Sequence, residues 1–238
     1  LPPVNGQGAF TNREPDAFLT EIHRQCAVSP ILELATLARL GKRLPSRFEE
    51  GAVKVLPLTK ETQPLIYRED TQPICGLNRV RWVYTQRIRA LRGFGGQSPE
   101  IGERLICCRN NRDEGLFNGG MGTLSDIQTD HNGLFGSYRL DIQMEDMEDL
   151  NTGLLVDPYL FNNHFNSGTS QKLLVPKGEP RLDEFDWGYV ITCHKAQGSS
   201  WDHVTVIDDS GAFRDNRSAW LYTALTRAEN GLTLLTRQ

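Results

Sequence analysis

Hydrophobic residues at helical spacing mark the first ordered element that the sequence predicts. The apolar positions concerned are Ile31, Leu34, Ala35 and Ala38. This spacing predicts a helix that packs one face on a core. Ser29 is expected to be its N-cap, Pro30 stands at its first turn, and Gly41 is expected to end it.

Short β-branched runs alternate with helical patterns in the two outer thirds of the chain. The predicted strands are Ala52–Leu58, Pro73–Leu77, Tyr189–Cys193, His203–Ile207 and Leu232–Leu235. A helix is predicted over Ser218–Glu229, and another begins after Asn78. Strands that alternate with helices are typical of a parallel sheet, so these two thirds predict one α/β domain.

The helix after Asn78 has two contrasting faces in the sequence. Its expected buried stripe consists of Val80, Val83, Tyr84, Ile88 and Leu91. The opposite face, at 100° per residue, is expected to carry Arg81, Thr85, Arg89 and Arg92. Such an arginine stripe is either a solvated helix face or a surface for a polyanion.

The middle of the chain has a different pattern, with short alternating runs separated by glycine and asparagine. The predicted strands are Glu103–Cys108, Gly122–Ile127 and Ser137–Gln143. This pattern predicts a small antiparallel barrel inserted into the α/β domain. Asn151–Lys177 is polar and is expected to be a long loop or hairpin arm. The predicted domains are 20–98 and 187–238 for the α/β domain and 99–186 for the insert.

Charge is distributed unevenly along the 238 residues, whose net charge is −4. Gly76–Arg112 contains eight arginines and two glutamates, whereas Asp141–Asp186 contains ten acidic and three basic residues. Because salt screens charges beyond about 8 Å, a phosphate responds to the local patch more than to the total. The sequence therefore leaves a nucleic-acid partner open despite the negative net charge.

Several classes of protein are disfavoured by composition. No apolar run approaches the roughly 20 residues of a membrane span, so no membrane partner is expected. The five cysteines form no CxxC pair, and their odd number favours a reducing, cytoplasmic setting. No zinc-ligand spacing appears, so no structural metal is expected. The 238 residues contain no GxxxxGK phosphate-binding loop.

The strings Ile191–Ile207 (ITCHKAQGSSWDHVTVI) and Trp220–Ala228 (WLYTALTRA) contain the densest group of candidate site residues. Polar side chains and Gly198 directly follow a strand there, where ligands bind in α/β sheets. These strings resemble motifs V and VI of superfamily-one DNA helicases of the RecD and Dda branch. In the same order, Leu1–Phe10 resembles the tail of motif III, Leu19–Gln25 resembles motif IV, and Ile74–Phe94 and Gly102–Leu124 resemble the segments that follow.

The resemblance implies a RecA-like domain with an inserted SH3-like barrel, in the C-terminal part of an ATP-dependent helicase. Residues 1–19 would then be a linker from a missing N-terminal RecA-like domain that holds most of the ATP and Mg²⁺. The fragment alone would be inactive. Movement along single-stranded DNA would run 5′ to 3′.

Roles for individual residues also follow from the resemblance. Arg24 and Arg227 would be catalytic arginines that reach the γ-phosphate, beside the nucleotide-binding Gln197 and Gly198. Contacts to single-stranded DNA would come from Thr192, His194, Lys195, Asn78, Arg79, Arg81 and Pro3. From the residues alone, Arg227 is equally well a cation at a helix C-terminus, and Arg24 a surface ion pair with Glu21 or Glu33. Ser199 and Ser200 stand where many helicases of this superfamily carry a ribose-binding glutamate.

Two other functions stay open at this point. One is a non-catalytic DNA-binding or docking module that keeps the fold without the motor. The other is a subunit of a helicase–nuclease complex of the exonuclease V kind, with the barrel as docking surface for a nuclease or a replication partner.

Overall fold

The structure is a computed structural model that describes residues 29–129, 136–175, 177–179 and 181–237. The predicted linker 1–19 and the candidate residues Pro3 and Arg24 lie outside these ranges.

The described residues form two compact units. The first contains the residues up to Gly76 and those from Thr192 onward, and the second extends from Leu77 to Ile191. The predicted boundaries at 98 and 187 differ from this division, because the helix after Leu77 and the strand containing Trp187 both belong to the second unit.

A six-stranded sheet forms the first unit, in the order β1-β2-β11-β10-β3-β9. Its strands are β1 (Phe48–Glu50), β2 (Val53–Pro57), β3 (Gln72–Cys75), β9 (Ile191–Thr192), β10 (Trp201–Asp208) and β11 (Ala228–Thr236). The pairs β2–β11, β11–β10 and β10–β3 are parallel, and β1 pairs antiparallel with β2. All residues from Val204 to Ile207 are buried, as expected for a parallel strand covered on both faces. The predicted parallel sheet is confirmed.

Two α-helices pack in the first unit. They are α1 (Pro30–Arg39) and α4 (Arg217–Leu225), and 3₁₀ helices span Gln63–Tyr67 and Ser210–Asn216. α1 buries the four predicted apolar residues, and Gly41 ends it in the left-handed conformation, with a φ of 65°. α4 is shorter than predicted because Ala228 already pairs with Trp201 in the sheet.

An antiparallel five-stranded sheet, in the order β7-β6-β5-β4-β8, forms the second unit. Its strands are β4 (Arg104–Cys107), β5 (Met121–Thr129), β6 (Tyr138–Met144), β7 (Asn151–Val156) and β8 (Phe185–Trp187). In β6, Tyr138, Leu140, Ile142 and Met144 are buried and alternate with more exposed residues, which is typical of a sheet that packs one face on a core. The predicted strands in β4, β5 and β6 are confirmed.

The region predicted as a long loop or hairpin arm contains regular structure, and its first strand pairs antiparallel with β6 as in a hairpin. β7 occupies Asn151–Val156, and a short helix, α3, follows at Tyr159–Asn163. Asn151 made the segment look like a turn, but its side-chain amide donates to the Glu114 carbonyl at 3.0 Å. A polar strand residue satisfied in this way has no sequence signal of its own.

The helix α2 (Asn78–Leu91) agrees only in part with the predicted distribution of buried and exposed residues, since Val80, Tyr84 and Ile88 are buried as predicted. Val83 and Leu91 are 47% and 67% exposed, whereas Arg81, Thr85 and Arg89 are almost fully buried. The predicted cap is also shifted, since the residue before the first helical turn is Leu77 and Asn78 is already helical. Arg81, Thr85 and Arg89 therefore face the interior of the second unit, whereas Arg92 is exposed.

Candidate functional site

The turn between β9 and β10 extends from the carboxyl ends of the parallel strands to their amino ends. At its start, the Cys193 amide donates to the Cys75 carbonyl at 2.8 Å, at the carboxyl end of β3. At its end, the Trp201 amide donates to the Arg227 carbonyl at 3.0 Å, at the amino ends of β10 and β11. The candidate residues of this turn are thus distributed between both ends of the parallel strands. The sequence had predicted them all beyond the carboxyl ends.

Arg227 lies at the amino-end edge, where its side chain joins the end of α4 to this turn. Its guanidinium donates to the Thr223 carbonyl at 3.1 Å, to the Ser199 carbonyl at 2.9 Å and to the Thr226 hydroxyl at 3.3 Å. Only 8% of the residue is exposed. The bond to Thr223 fits a helix C-terminal cation, and the bond to Ser199 holds the charge beside the glycine of the turn.

Gln197 and Gly198 are both exposed and immediately precede Ser199. Gly198 has a φ of 95°, a conformation that L side chains rarely adopt, and no atom lies within 4 Å of the position where a Cβ would be. Glycine is therefore required here by the backbone, and the open space above it leaves room for a ligand to approach.

Thr192 is the buried last residue of β9, and His194 and Lys195 lie at the start of the same turn. The Lys195 amide donates to the Thr192 hydroxyl at 3.4 Å. The His194 ring is 6.1 Å from the Phe213 ring, and burial lowers its pKa below the usual 6.5. A histidine with a lowered pKa is neutral at pH 7, so it would contact a phosphate through one N–H donor and without a positive charge.

The carboxyl edge contains interactions that sequence reasoning missed. The Gly76 amide donates to Asp209 at 2.6 Å, and Asp209 is buried. A Cβ on Gly76 would lie 2.4 Å from the Phe213 ring. Burial also raises the pKa of the Cys193 thiol to about 12. This edge is therefore tightly packed, and Cys193 is an inert core thiol.

The first turn of α2 contains two exposed candidates, Asn78 and Arg79. No side chain caps this helix start among the described residues. Two neighbouring arginines of α2 thus differ in the structure, because Arg79 is exposed and Arg81 is buried.

Arg81 forms a buried ion pair with Asp186, and the side chains are 4% and 0% exposed. Asp186 also accepts from His164 at 2.8 Å and from the Trp187 amide at 2.8 Å. Burial, opposed by the Asp186 charge, lowers the pKa of His164 below 6.5. The prediction that Arg81 faces solvent is wrong, and with it the reason for assigning Arg81 a DNA contact.

A second buried ion pair joins α2 to the five-stranded sheet. Arg89 donates to Glu103 at 2.6 and 3.0 Å, and its guanidinium carbon lies 4.1 Å from the Trp187 ring centroid. Glu103 also accepts from the Trp187 indole at 3.0 Å and from the Tyr189 hydroxyl at 3.3 Å. The two pairs, spaced by two helical turns, fix α2 on this sheet.

Partners for the arginine-rich segment come partly from the acidic segment. Besides Arg81 with Asp186, Arg109 pairs with Glu184 at 3.5 Å and Arg104 with Glu145 at 3.1 Å. The uneven charge of the two segments therefore reflects internal pairing as much as an external partner. The opposite net charges of the two segments were the sequence signal that could have indicated this internal pairing.

Asp208 and Asp209 stand at the end of β10 and both accept backbone amides. Asp208 accepts from the Ser210 amide at 3.0 Å after the end of β10. Within the described ranges, no group of three or more histidine, cysteine or acidic side chains is arranged to hold a metal ion. No helix in those ranges has the length and apolarity to cross a bilayer.

Comparisons with known proteins match this part of the chain. Residues 188–235, which include the turn and Arg227, match the UvrD-like helicase C-terminal domain. An ATP-dependent DNA helicase Pif1 from Campylobacter jejuni is 32% identical over 149 residues, which cover 62% of this chain and 30% of that protein. An uncharacterized protein from Methanocaldococcus jannaschii is 31% identical over 80 residues, covering 33% of this chain and 7% of that protein.

A solved structure agrees with the fold. The crystal structure of Pif1 helicase from Candida albicans matches with a TM-score of 0.51 at 16% identity, over 92% of this chain and 55% of that chain. At this identity the match shows the fold alone. The chain spans about half of that structure and under a third of the Campylobacter protein. By sequence, the chain is thus similar to the C-terminal part of superfamily-one helicases of the Pif1 and RecD-like group.

Proposed function

We propose that the chain is the C-terminal motor half of an ATP-dependent DNA helicase that moves 5′ to 3′ along single-stranded DNA. The observation that carries this proposal is the position of Arg227, whose guanidinium donates to the Ser199 carbonyl at 2.9 Å. This bond holds a cation directly beside Gly198, the exposed glycine of the same turn. A guanidinium can bind two phosphoryl oxygens at once, which suits charge that shifts during hydrolysis.

In this proposal Arg227 acts as an arginine finger, with Arg24 as the second one. Gln197 and Gly198 face the nucleotide, and ATP and Mg²⁺ are held mainly by a P-loop domain outside these 238 residues. Without that domain the β- and γ-phosphates have no cradle, so the fragment alone is inactive. The name of the Campylobacter relative, an ATP-dependent DNA helicase, supports the choice of nucleotide.

The proposed DNA contacts come from two segments of the described chain. Arg79 and Asn78 are exposed at the start of α2, where N–H groups and a cation favour a phosphate. His194 and Lys195 belong to the turn after β9 and are half-buried, whereas Thr192 ends β9 and is buried. Arg81 is removed from the set, since its charge is already paired with Asp186.

We further propose that the second unit is an SH3-like barrel. In the alternative of a cytoplasmic helicase–nuclease subunit, this barrel would be the docking surface for a nuclease or replication partner. The closure of its sheet supports the barrel. The Asp183 amide donates to the Leu155 carbonyl at 2.7 Å, and the Asp157 amide donates to the Asp183 carbonyl at 3.0 Å. These bonds connect β7 to the residues just before β8, the two edge strands.

The function is tested by ATP hydrolysis of the full-length protein with and without single-stranded DNA. We expect strong stimulation by the strand, and faster displacement of streptavidin from a 3′-biotin than from a 5′-biotin. A rate of ATP hydrolysis that does not change with single-stranded DNA would contradict the proposed motor function. Displacement mainly from the 5′-biotin would contradict only the polarity.

The DNA contacts are tested by a matched pair of arginines. Arg79→Gln should reduce the salt dependence of single-strand binding, each lost phosphate contact lowering the log–log slope by about 0.7. Arg81→Gln should leave that slope unchanged and lower stability instead, because its partner is Asp186. The reverse result would show that α2 presents its other face to DNA.

A further inference from the structure

A basic cleft of about 570 Å³ opens on the first unit, apart from the turn and from Arg227. Its floor contains Asp208 and Thr236, which are paired in register at the carboxyl ends of β10 and β11. Ligands of open α/β sheets bind in the crevice outside the carboxyl ends of parallel strands. The position of the cleft is therefore one that this architecture favours for a ligand.

The walls come from the end of α1 and the start of α4. Gly41, just beyond α1, lies so close to α4 that a Cβ there would be 3.5 Å from the Ser218 hydroxyl. Asn216, the N-cap of α4, makes no side-chain capping bond among the described residues. Because a helix start is electropositive, this wall adds to the positive potential of the cleft.

Four basic side chains line this one cleft, against one acidic side chain. The cations are Lys42, Arg43, Arg217 and Arg237, and the acid is Asp208. All four cations are exposed. Within the part of the chain that the structure describes, no carboxylate lies within 4.0 Å of any of them.

The local contacts orient these charges without neutralising them. Arg217 donates from Nε to the Ser210 hydroxyl at 3.2 Å, a neutral partner. Asp208, the one acid, already accepts from the Ser210 amide at 3.0 Å. This arrangement contrasts with that of the second unit, where Arg81 and Arg89 are each paired with a buried carboxylate. Four cations that line one cleft repel one another, and a bound anion would relieve that repulsion.

We propose that this cleft is a phosphate-binding site, in which Lys42, Arg43, Arg217 and Arg237 hold a phosphate group. The phosphate comes either from the backbone of a single-stranded nucleic acid or from a free anion. Guanidinium groups bind phosphate oxygens in pairs, and lysine adds a point charge. The site rests on the cleft itself and needs neither ATP hydrolysis nor movement along DNA.

The test compares two charge-matched double variants of the full-length protein. Lys42→Gln/Arg43→Gln removes two cations from the cleft, whereas Arg47→Gln/Lys60→Gln removes two exposed cations that do not line it. Binding of a labelled oligothymidylate is measured between 50 and 200 mM salt, and binding of inorganic phosphate by ³¹P NMR. Thermal melting confirms that both variants are folded, and Arg217→Gln provides an independent change in the same cleft.

A backbone site predicts that the cleft variant lowers the log–log salt slope by about 0.7 to 1.4 relative to the matched control. A free-anion site predicts an unchanged slope, with phosphate binding lost in the cleft variant and in Arg217→Gln but kept in the control. The proposal is overturned if the cleft variants and the control behave alike in both measurements. Because the phosphate titration needs no DNA, its result could be interpreted even if the proposed motor function were wrong.

Discussion

Replacing Arg81 by methionine tests the buried ion pair that fixes α2 on its sheet. The change keeps most of the side-chain volume and removes the charge. Asp186, which is 0% exposed, would then lose the partner of one carboxylate oxygen. Its other oxygen keeps the bonds from His164 and from the Trp187 amide.

The expected loss of stability is large because a carboxylate stays buried without its counter-ion. Breaking a buried pair by removing one partner costs about 3–5 kcal/mol. Arg81→Met/Asp186→Leu removes both charges and should recover most of that loss, since a buried pair contributes little beyond an apolar pair of similar volume. Arg79→Met is the matched control on the same helix, and an exposed residue should cost no more than about 0.5 kcal/mol.

The loss should also depend on pH, because Arg81 is one of the charges that lower the pKa of His164. Without that charge the pKa of His164 rises, and protonated His164 can pair with Asp186. The difference in stability between Arg81→Met and the wild type should therefore be smaller at pH 5.5 than at pH 8.

Native-state hydrogen exchange of the α2 and β8 amides is the appropriate assay, because it reports the stability of the second unit separately from the first. A loss below about 1 kcal/mol for Arg81→Met would refute the reasoning about burial. A double variant as unstable as Arg81→Met would show that the loss comes from packing rather than from the unpaired carboxylate.

Two further predictions concern His164 and Gly76. Burial lowers the pKa of His164 below the unfolded value of 6.5, so the unfolded state binds more protons than the folded state. The contribution of His164 to stability is therefore full above about pH 6.5 and is lost as the pH drops towards the folded pKa. His164→Gln should flatten this dependence of stability on pH, measured by urea titration. Gly76→Ala should cost about 1–3 kcal/mol in thermal unfolding because its Cβ would lie 2.4 Å from the Phe213 ring, while Gly211→Ala, with open space, should cost little.

The sequence predicted the sheets better than it predicted the helix faces. The β-branched run around Val204–Ile207 and the alternation in Tyr138–Met144 each have one physical explanation, so both strands were found. In α2, Val83 and Leu91 have the same spacing as Arg81 and Arg89. Spacing alone therefore does not decide which of the two pairs is buried. The arginine face is buried because it pairs with carboxylates distant in sequence, above all with Asp186, 105 residues after Arg81.

The candidate site shows the same division. Gly198 was predictable because a polar turn with glycine after a strand has a specific conformational need, and its φ of 95° agrees. The bond from Arg227 to Ser199 was not predictable from spacing, because it spans 28 residues and depends on how β10 and β11 pair. The bond from the Gly76 amide to Asp209 was not predictable either, because it joins residues 133 apart in the sequence.

The most direct test of the motor is DNA-stimulated ATP hydrolysis by the full-length Arg227→Ala variant, measured beside ATP affinity and thermal stability. Thr226→Val serves as control, because it removes a hydroxyl partner of Arg227 and keeps the charge. The account predicts that kcat falls by about 10³-fold or more while ATP affinity changes modestly, and that Arg227→Lys restores little. Normal hydrolysis by Arg227→Ala, or a loss explained entirely by unfolding, would contradict the account and leave Arg227 as the cation that ends α4.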